Sequence, residues 1–323
     1  MKILFIGGNG NISWWCVQAA NKLGHDVTVL TRGVTNNTRR ERLKNVTYYD
    51  IDANDKVKLL NFIQSNKKFD IVCDFIIFNE DQAKDRVDIF KGKVKQFIFI
   101  SSVVVYSRKT KYLPFKESTP RWNFTEYKYA SDKINAEIFF ECEHSKNGFP
   151  ITIVRPAHTY DTIVPIPLGH NCFTMPKRLI QGKPLLIPGD GTNLWSLLHS
   201  SDFADAFVSL FDNPMAIGES FHITGDEWNT WLDVGNKILS ALKLNDNKII
   251  HIPVSEIVSM NISQTKNMAI SYFGTSYFGQ RMWCDIYDNS KIKKIAPSWS
   301  QKIPFDTGIK STFEWLFADK SRM

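Results

Sequence analysis

The heptapeptide "YKYASDK", residues 127–133, sets two phenols, a hydroxyl and two ammonium groups within seven positions. A tyrosine followed four residues later by a lysine occurs three times in the chain, as Tyr112–Lys116, Tyr129–Lys133 and Tyr287–Lys291. On a helix, residues four apart share one face, so the ammonium lies beside the phenol. A free phenol ionises near pH 10, and a cation one turn away stabilises the phenolate and lowers that value. Such a pair can give a proton to a carbonyl oxygen or take one from a hydroxyl.

The surrounding elements decide which pair has that role. Tyr112–Lys116 encloses Pro114, which no regular helix accommodates. Tyr287–Lys291 lies late in the chain, remote from the apolar strands. Tyr129–Lys133 falls on a helix expected over about 126–145, directly after a strand ending "FIFISS". Tyr127 is expected to point elsewhere, about 200° round that helix at 3.6 residues per turn.

The strands that precede this helix are "KILFI" (2–6), "DVTVLT" (26–31), "FDIVCDFIIF" (69–78) and "VKQFIFISS" (94–102), with "PITIVRP" (150–156) after it. Several are apolar on both faces, as buried parallel strands are. Their alternation with helices predicts a Rossmann-type, doubly wound parallel sheet. Beyond Pro156 the chain turns rich in proline and glycine, with a capped helix at "SSDFADAFVSLF" and a strand at "ESFHITG". This organisation implies a dinucleotide-binding domain over 1–165 that also receives about 196–226. A smaller α/β substrate domain over 166–323 is interwoven with it.

Between the first strand and its helix stands "GGNGNIS", with Gly7, Gly10 and Ser13 at a G-x-x-G-x-x-(G) spacing. Gly7 allows the tight turn, and Gly10 lets the backbone N–H groups of Asn11 and Ile12 approach a pyrophosphate at the helix N-terminus. Ser13 replaces the third glycine, so helix and strand should sit slightly farther apart. The second strand ends in Thr31 and Arg32 with no acid to hold a ribose 2′-hydroxyl. Arg32, helped by Arg39, Arg40 and Arg42, suits a 2′-phosphate, so NADP(H) is favoured over NAD(H). Asp50 and Ile51 are placed to border the adenine.

The composition of the 323-residue chain, 43% hydrophobic and 23% charged, is that of a globular protein. No apolar run approaches the roughly 18 residues of a membrane span, and "MKILFIGGNG" is too short in its apolar part for a signal-peptide core. Five scattered cysteines without a Cys-x-x-Cys pair suit a reducing cytoplasm and argue against a zinc site. The net charge of +7 leaves nucleic acid, a membrane surface or an anionic small molecule open as partner.

Taken together, "GGNGNIS", "FISSVVVY", "YASDK", "VRP" at 154–156 and "GDGTNLWSLLHSSDFADAF" resemble the extended short-chain dehydrogenase/reductase family, in its epimerase and dehydratase branch. The resemblance spans nearly the whole chain. It implies a catalytic set of Ser102 (with Ser101 as the alternative), Tyr129 and Lys133, and a cofactor bordered by Phe75 and Pro156. It further implies hydride transfer at a hydroxyl or ketone of a nucleotide-sugar, by epimerisation or reduction. The family's Asp-Glu pair for eliminating water is here Val103 and Val104, which argues against dehydratase activity and leaves Val103 facing substrate. His158 stands where an asparagine contacts the nucleotide-sugar, and either contacts substrate or is a buried histidine. Trp195 replaces a pyrophosphate-gripping arginine, and either stacks on a ring or is core. Arg281 is a candidate replacement anion contact. A homodimer is implied through the helix bearing Tyr129, whose extra apolar positions are Ile134, Ile138, Phe139 and Phe140. The competing reading is a nucleic-acid-binding or cofactor-sensing protein on the same scaffold, without turnover.

Overall fold

The computed structural model describes residues 1–33, 40–65, 68–122, 127–168, 173–244, 248–257, 277–319 and 322. Seven parallel strands form the central sheet in the order β10-β6-β5-β4-β1-β2-β3. They are β1 (Lys2–Ile6), β2 (Asp26–Thr31), β3 (Thr47–Asp50), β4 (Ile71–Asp74), β5 (Gln96–Ile100), β6 (Ile151–Pro156) and β10 (Ser220–Ile223). Strand side chains point to opposite faces in alternation, so each strand feeds two cores. Ile3, Phe5, Val27, Val29, Cys73, Ile98 and Val154 face α1 (Ser13–Lys22) and α6 (Ser200–Phe207). Leu4, Ile6, Leu30, Val72, Phe97, Phe99 and Ile153 face α2 (Lys56–Ser65), α3 (Glu80–Phe90) and α4 (Lys128–Asn147). That two-sided burial is why these strands read as continuous apolar runs.

Beyond β6 the chain builds a smaller region. β7 (His158–Tyr160), β9 (Leu194–His199) and β11 (Trp228–Thr230) form a three-stranded sheet, and β8 (Leu185–Pro188) pairs with β12 (Ile249–Ile252). Its core joins Trp195, Trp231, Leu185 and Ile187 to α7 (Trp231–Ala241) and to α9 (Phe305–Phe317), which follows α8 (Ser290–Ile295). β10 then returns to the main sheet, parallel to β6 with Phe221 opposite Val154. The second half of the chain is thus woven through the first.

α4 is one residue-pair later than expected, and this changes Tyr127. Tyr127 precedes the helix in a non-helical conformation, is 4% exposed, and its ring centroid lies 6.0 Å from that of Tyr129. The expectation that it points away assumed a helical wheel that does not yet apply there. On the outer stretch of α4, Phe140 belongs to the core, Phe139 packs against that core and Ile134 against a neighbouring cluster, leaving Ile138 as the exposed member of the supposed dimer stripe.

Close approach of α1 to the sheet falls to Gly8, not to the third motif position. A Cβ on Gly8 would lie 2.7 Å from Val29 and 3.0 Å from Val17. Ser13 instead turns its hydroxyl to accept from Gly10 N at 2.8 Å. Gly8→Ala is therefore expected to lower unfolding stability by about 1–3 kcal/mol through overpacking, measured by urea denaturation of the purified chain.

Candidate active site

Parallel strands end together, so the turns after β1, β4, β5 and β6 open onto one edge of the sheet. A cleft of about 370 Å³ lies there. Gly7, Gly10, Asn11, Ile12 and Ser13 line it together with Ser102, Tyr129, Lys133, Phe75 and Pro156. The glycine loop, the serine strand end and the tyrosine–lysine helix, remote in sequence, thus meet around one space.

α4 carries Tyr129, Lys133 and Glu137 at four-residue intervals, hence on one face. Lys133 is 2% exposed, and its Nζ donates to Ile77 O at 2.5 Å and Ile100 O at 2.8 Å. Its ammonium lies 4.8 Å from the Phe99 ring centroid and 5.9 Å from that of Tyr129. Burial pulls the Lys133 ammonium down to about 7, while the carboxylates of Asp74 and Glu137 oppose that fall. Ser102 follows β5 in extended backbone and caps the 3-10 turn Val103–Val105, its Oγ accepting from Val104 N at 3.3 Å. That bond leaves the Ser102 proton for another acceptor. Ser101 is 2% exposed and also borders the cleft.

Glu137 was not among the expected site residues, although its place one turn beyond Lys133 was legible. It is fully buried and receives Arg155 through two bonds, Nε at 2.9 Å and Nη2 at 2.7 Å, together with Arg121 Nη1 at 2.9 Å. Burial alone would raise its carboxyl, but the arginines outweigh it and hold the group below the ordinary carboxylate range. Arg155 also donates to Tyr106 Oη at 2.7 Å, and Tyr106 meets His222 Nε2 at 2.5 Å.

The glycine loop fits a dinucleotide pyrophosphate. Gly7 adopts φ +85°, α1 begins without a side-chain cap, and its first turn holds no acid, so its N-terminal end faces the cleft with its positive dipole unopposed. Asn11 contributes through its backbone, since its side chain is bonded elsewhere: Oδ1 accepts from Thr162 N at 3.0 Å and Nδ2 donates to Ser200 Oγ at 3.1 Å.

The other expected residues stand apart from this cleft. Arg32 is exposed at the end of β2, and Ile51 packs against the core on the α2 face. Asp50 accepts from Arg42 and from Thr31 Oγ1. Arg40 stacks on Trp14 and Trp15 with centroids at 5.0 and 4.8 Å, and makes a two-bond pair with Asp161. Burial pushes the Asp161 carboxyl up, but His199, Arg40 and Trp15 bring it down to about 2. Arg40 and Arg42 are thus held by carboxylates of the chain itself, which gives no support to the expected NADP(H) preference. Arg39 lies outside the described residues.

On the substrate side, Val103 is 1% exposed within an apolar cluster with Tyr106 and Phe115, so it does not face the cleft. Trp195 is core, 1% exposed with its ring 4.5 Å from Trp231. His158 sets its ring edge-on against Trp195 at 5.8 Å. Burial, then the charge of Arg281, push His158 down to about 4. Arg281 closes a π-helical turn, Tyr277–Arg281. The described residues hold no cluster of three or more metal-ligating side chains, and no helix among them is long and apolar enough to cross a membrane.

The depressed His158 value has a pH signature. An unfolded histidine takes its proton near pH 6.5, while the folded one waits until about 4. Folding stability should therefore fall as pH drops from 6.5 towards 4, because the unfolded chain binds the extra proton. Thermal melts across that window are expected to show a shallower decline for His158→Asn than for the wild-type chain.

A model of the NAD dependent epimerase/dehydratase family matches residues 3–224. Among curated proteins, the chain is 27% identical over 263 residues to the chloroplast stem-loop binding protein of 41 kDa b of Arabidopsis thaliana, covering 77% of this chain and 65% of that one. It is 22% identical over 306 residues to the 2'-dehydrokanamycin reductase of Streptomyces kanamyceticus, covering 94% and 81%. Among solved structures, a UDP-glucose 4-epimerase of Thermotoga maritima with UDP-glucose superposes with a TM-score of 0.76 at 18% identity, covering 98% and 99%. A UDP-glucuronic acid 4-epimerase of Bacillus cereus in complex with NAD gives 0.71 at 18% identity, covering both chains fully (100%). These likenesses share the fold, and the family match covers most of this chain, including the glycine loop, Ser102, Tyr129 and Lys133: the protein belongs to the NAD dependent epimerase/dehydratase family.

Proposed function

We propose that the chain binds NAD(H) in this cleft and acts on a hydroxyl or ketone of a nucleotide-sugar, as an epimerase or a ketoreductase, with Tyr129 as acid and base. The observation that carries the reading is the convergence of Ser102, Tyr129 and Lys133 with the glycine loop on one cleft. NAD(H) is preferred over NADP(H) because Arg40 and Arg42, in the connection between β2 and β3, are already paired with Asp161 and Asp50. A bound nicotinamide supplies hydride exchange with the substrate carbon. Tyr129 Oη gives its proton to the substrate carbonyl oxygen, or takes one from the hydroxyl in the reverse direction. Ser102 Oγ, which accepts from Val104 N, donates to that same oxygen and orients it. Lys133 lies under the Tyr129 ring, and its positive charge favours the phenolate. Dehydration is disfavoured because Val103 and Val104 offer no group to remove a proton beside the Tyr129 site.

The test is direct. Purified protein is denatured and the released nucleotide identified by mass spectrometry, then the refilled or empty protein is titrated with NADH and NADPH. Retained NAD supports an epimerase that regenerates its cofactor at each turnover, and exchangeable NADH supports a reductase. A protein that binds neither overturns the reading and promotes the nucleic-acid-binding alternative, for which the Arabidopsis relative, named a stem-loop binding protein, is the lead. With a turned-over substrate in hand, Tyr129→Phe is expected to lower kcat by about 10²–10⁴ while NADH affinity stays within a few-fold.

A further inference from the structure

Asp74 ends β4 with a fully buried carboxylate whose two oxygens have different partners. Oδ1 accepts from Ile76 N at 2.8 Å, which shapes the turn leaving the strand. Oδ2 accepts from Arg86 Nε of α3 at 2.7 Å, and Arg86 is itself 1% exposed. The turn so formed does two things. It seats Ile76 on the glycine loop, where a Cβ on Gly7 would lie 2.5 Å from Ile76 Cγ2. It also delivers Ile77 O to Lys133 Nζ, opposite the second acceptor, Ile100 O.

The charged and titratable groups around Lys133 come from every element packed on it. β4 brings Asp74 and α3 brings Arg86. α4 brings Glu137 and Tyr129, and β6 brings Arg155, with Arg121 Nη1 sharing Glu137 Oε2 with Arg155 Nη2. Glu137 is bonded by two arginines and Asp74 by one, so Asp74 is the less neutralised of the two buried carboxylates.

We propose that Asp74 is a positioning residue for the acid–base pair: it holds the carbonyl that seats the Lys133 ammonium and supplies the buried negative charge facing it, with Arg86 setting how much of that charge is felt. This rests on the reading of Tyr129 and Lys133 given above. It agrees with the order of influences on Lys133, where burial is opposed first by Asp74 and then by Glu137.

The experiment follows the lysine Cε resonances of the full chain, labelled with ¹³C-lysine, through a pH titration; Lys133 is assigned by its loss in Lys133→Met. Asp74→Asn keeps an oxygen for Ile76 N but removes the charge, so the Lys133 midpoint is expected to fall by about one pH unit. Arg86→Gln leaves the carboxylate less neutralised, so the midpoint is expected to rise. Opposite shifts establish the role. Shifts in one direction, or none, overturn it, because loosened structure alone would move both variants alike. Thermal melts verify that each variant is folded, and if Asp74→Asn is not, the sign of the Arg86→Gln shift decides. NADH binding is measured on the same samples. A wild-type chain that binds no nicotinamide nucleotide yet gives opposite shifts overturns the proposed function and leaves the positioning role standing. Binding with unshifted midpoints overturns the positioning role alone.

Discussion

A buried ammonium has to be met by acceptors on its own side of the protein, or burying it costs more than a domain can offset. Lys133 imposes that requirement at the edge of the sheet where β4 and β5 end. Strand ends in a parallel sheet leave carbonyls without ladder partners, and two of these, Ile77 O after β4 and Ile100 O at the end of β5, receive its N–H groups. α4 is thereby tied to the sheet at the level of the cleft. One turn further along, Glu137 repeats the attachment to β6 through Arg155. The orientation of Tyr129 over the cleft follows from these two anchors, since a helix held at successive turns can neither slide nor roll.

The same logic explains which parts of the molecule could be read from the chain. Strands buried on both faces leave apolar runs whatever their neighbours, so the order of elements and the doubly wound class were legible. That Tyr129 and Lys133 come together was legible because the pair is defined by local spacing on an element whose type was clear, whereas Ser102, with Ser101 as its alternative, came from the family resemblance. Tyr127 stays out of the cleft as expected, but because it precedes the helix and packs beside Tyr129, not because of a helical wheel. The role of Gly8 was missed because the motif spacing drew attention to the third position, whereas the close neighbours, Val17 and Val29, belong to α1 and β2.

Long-range charge pairing was the least legible feature. Arg40 and Asp161 are 121 positions apart, and nothing local to either announces the other. The run from Arg32 to Lys44 looked like a phosphate-binding patch because cations were counted without their partners. In the folded chain, Trp14 and Trp15 form a platform for the Arg40 guanidinium, and buried Asp161 neutralises it. Two bulky residues just after the glycine loop therefore fasten the connection following β2 against the helix, and Trp15 also packs on the core between α1 and the sheet.

Trp195 shows how the smaller region differs from the cleft in what holds it together. A residue at the resemblance's arginine position would bring a cation towards the substrate, but an indole stacked on Trp231 and 1% exposed brings packing instead. His158, edge-on to that indole and held neutral by burial and by Arg281, can still donate and accept hydrogen bonds but adds no charge. Arg281, whose charge acts on His158, ends the π-helical turn Tyr277–Arg281 that follows in the chain. The acid–base cleft and the Trp195–His158 pair are therefore supported by different parts of the chain. The first is anchored by buried charges to the parallel sheet, and the second rests on an aromatic core of its own.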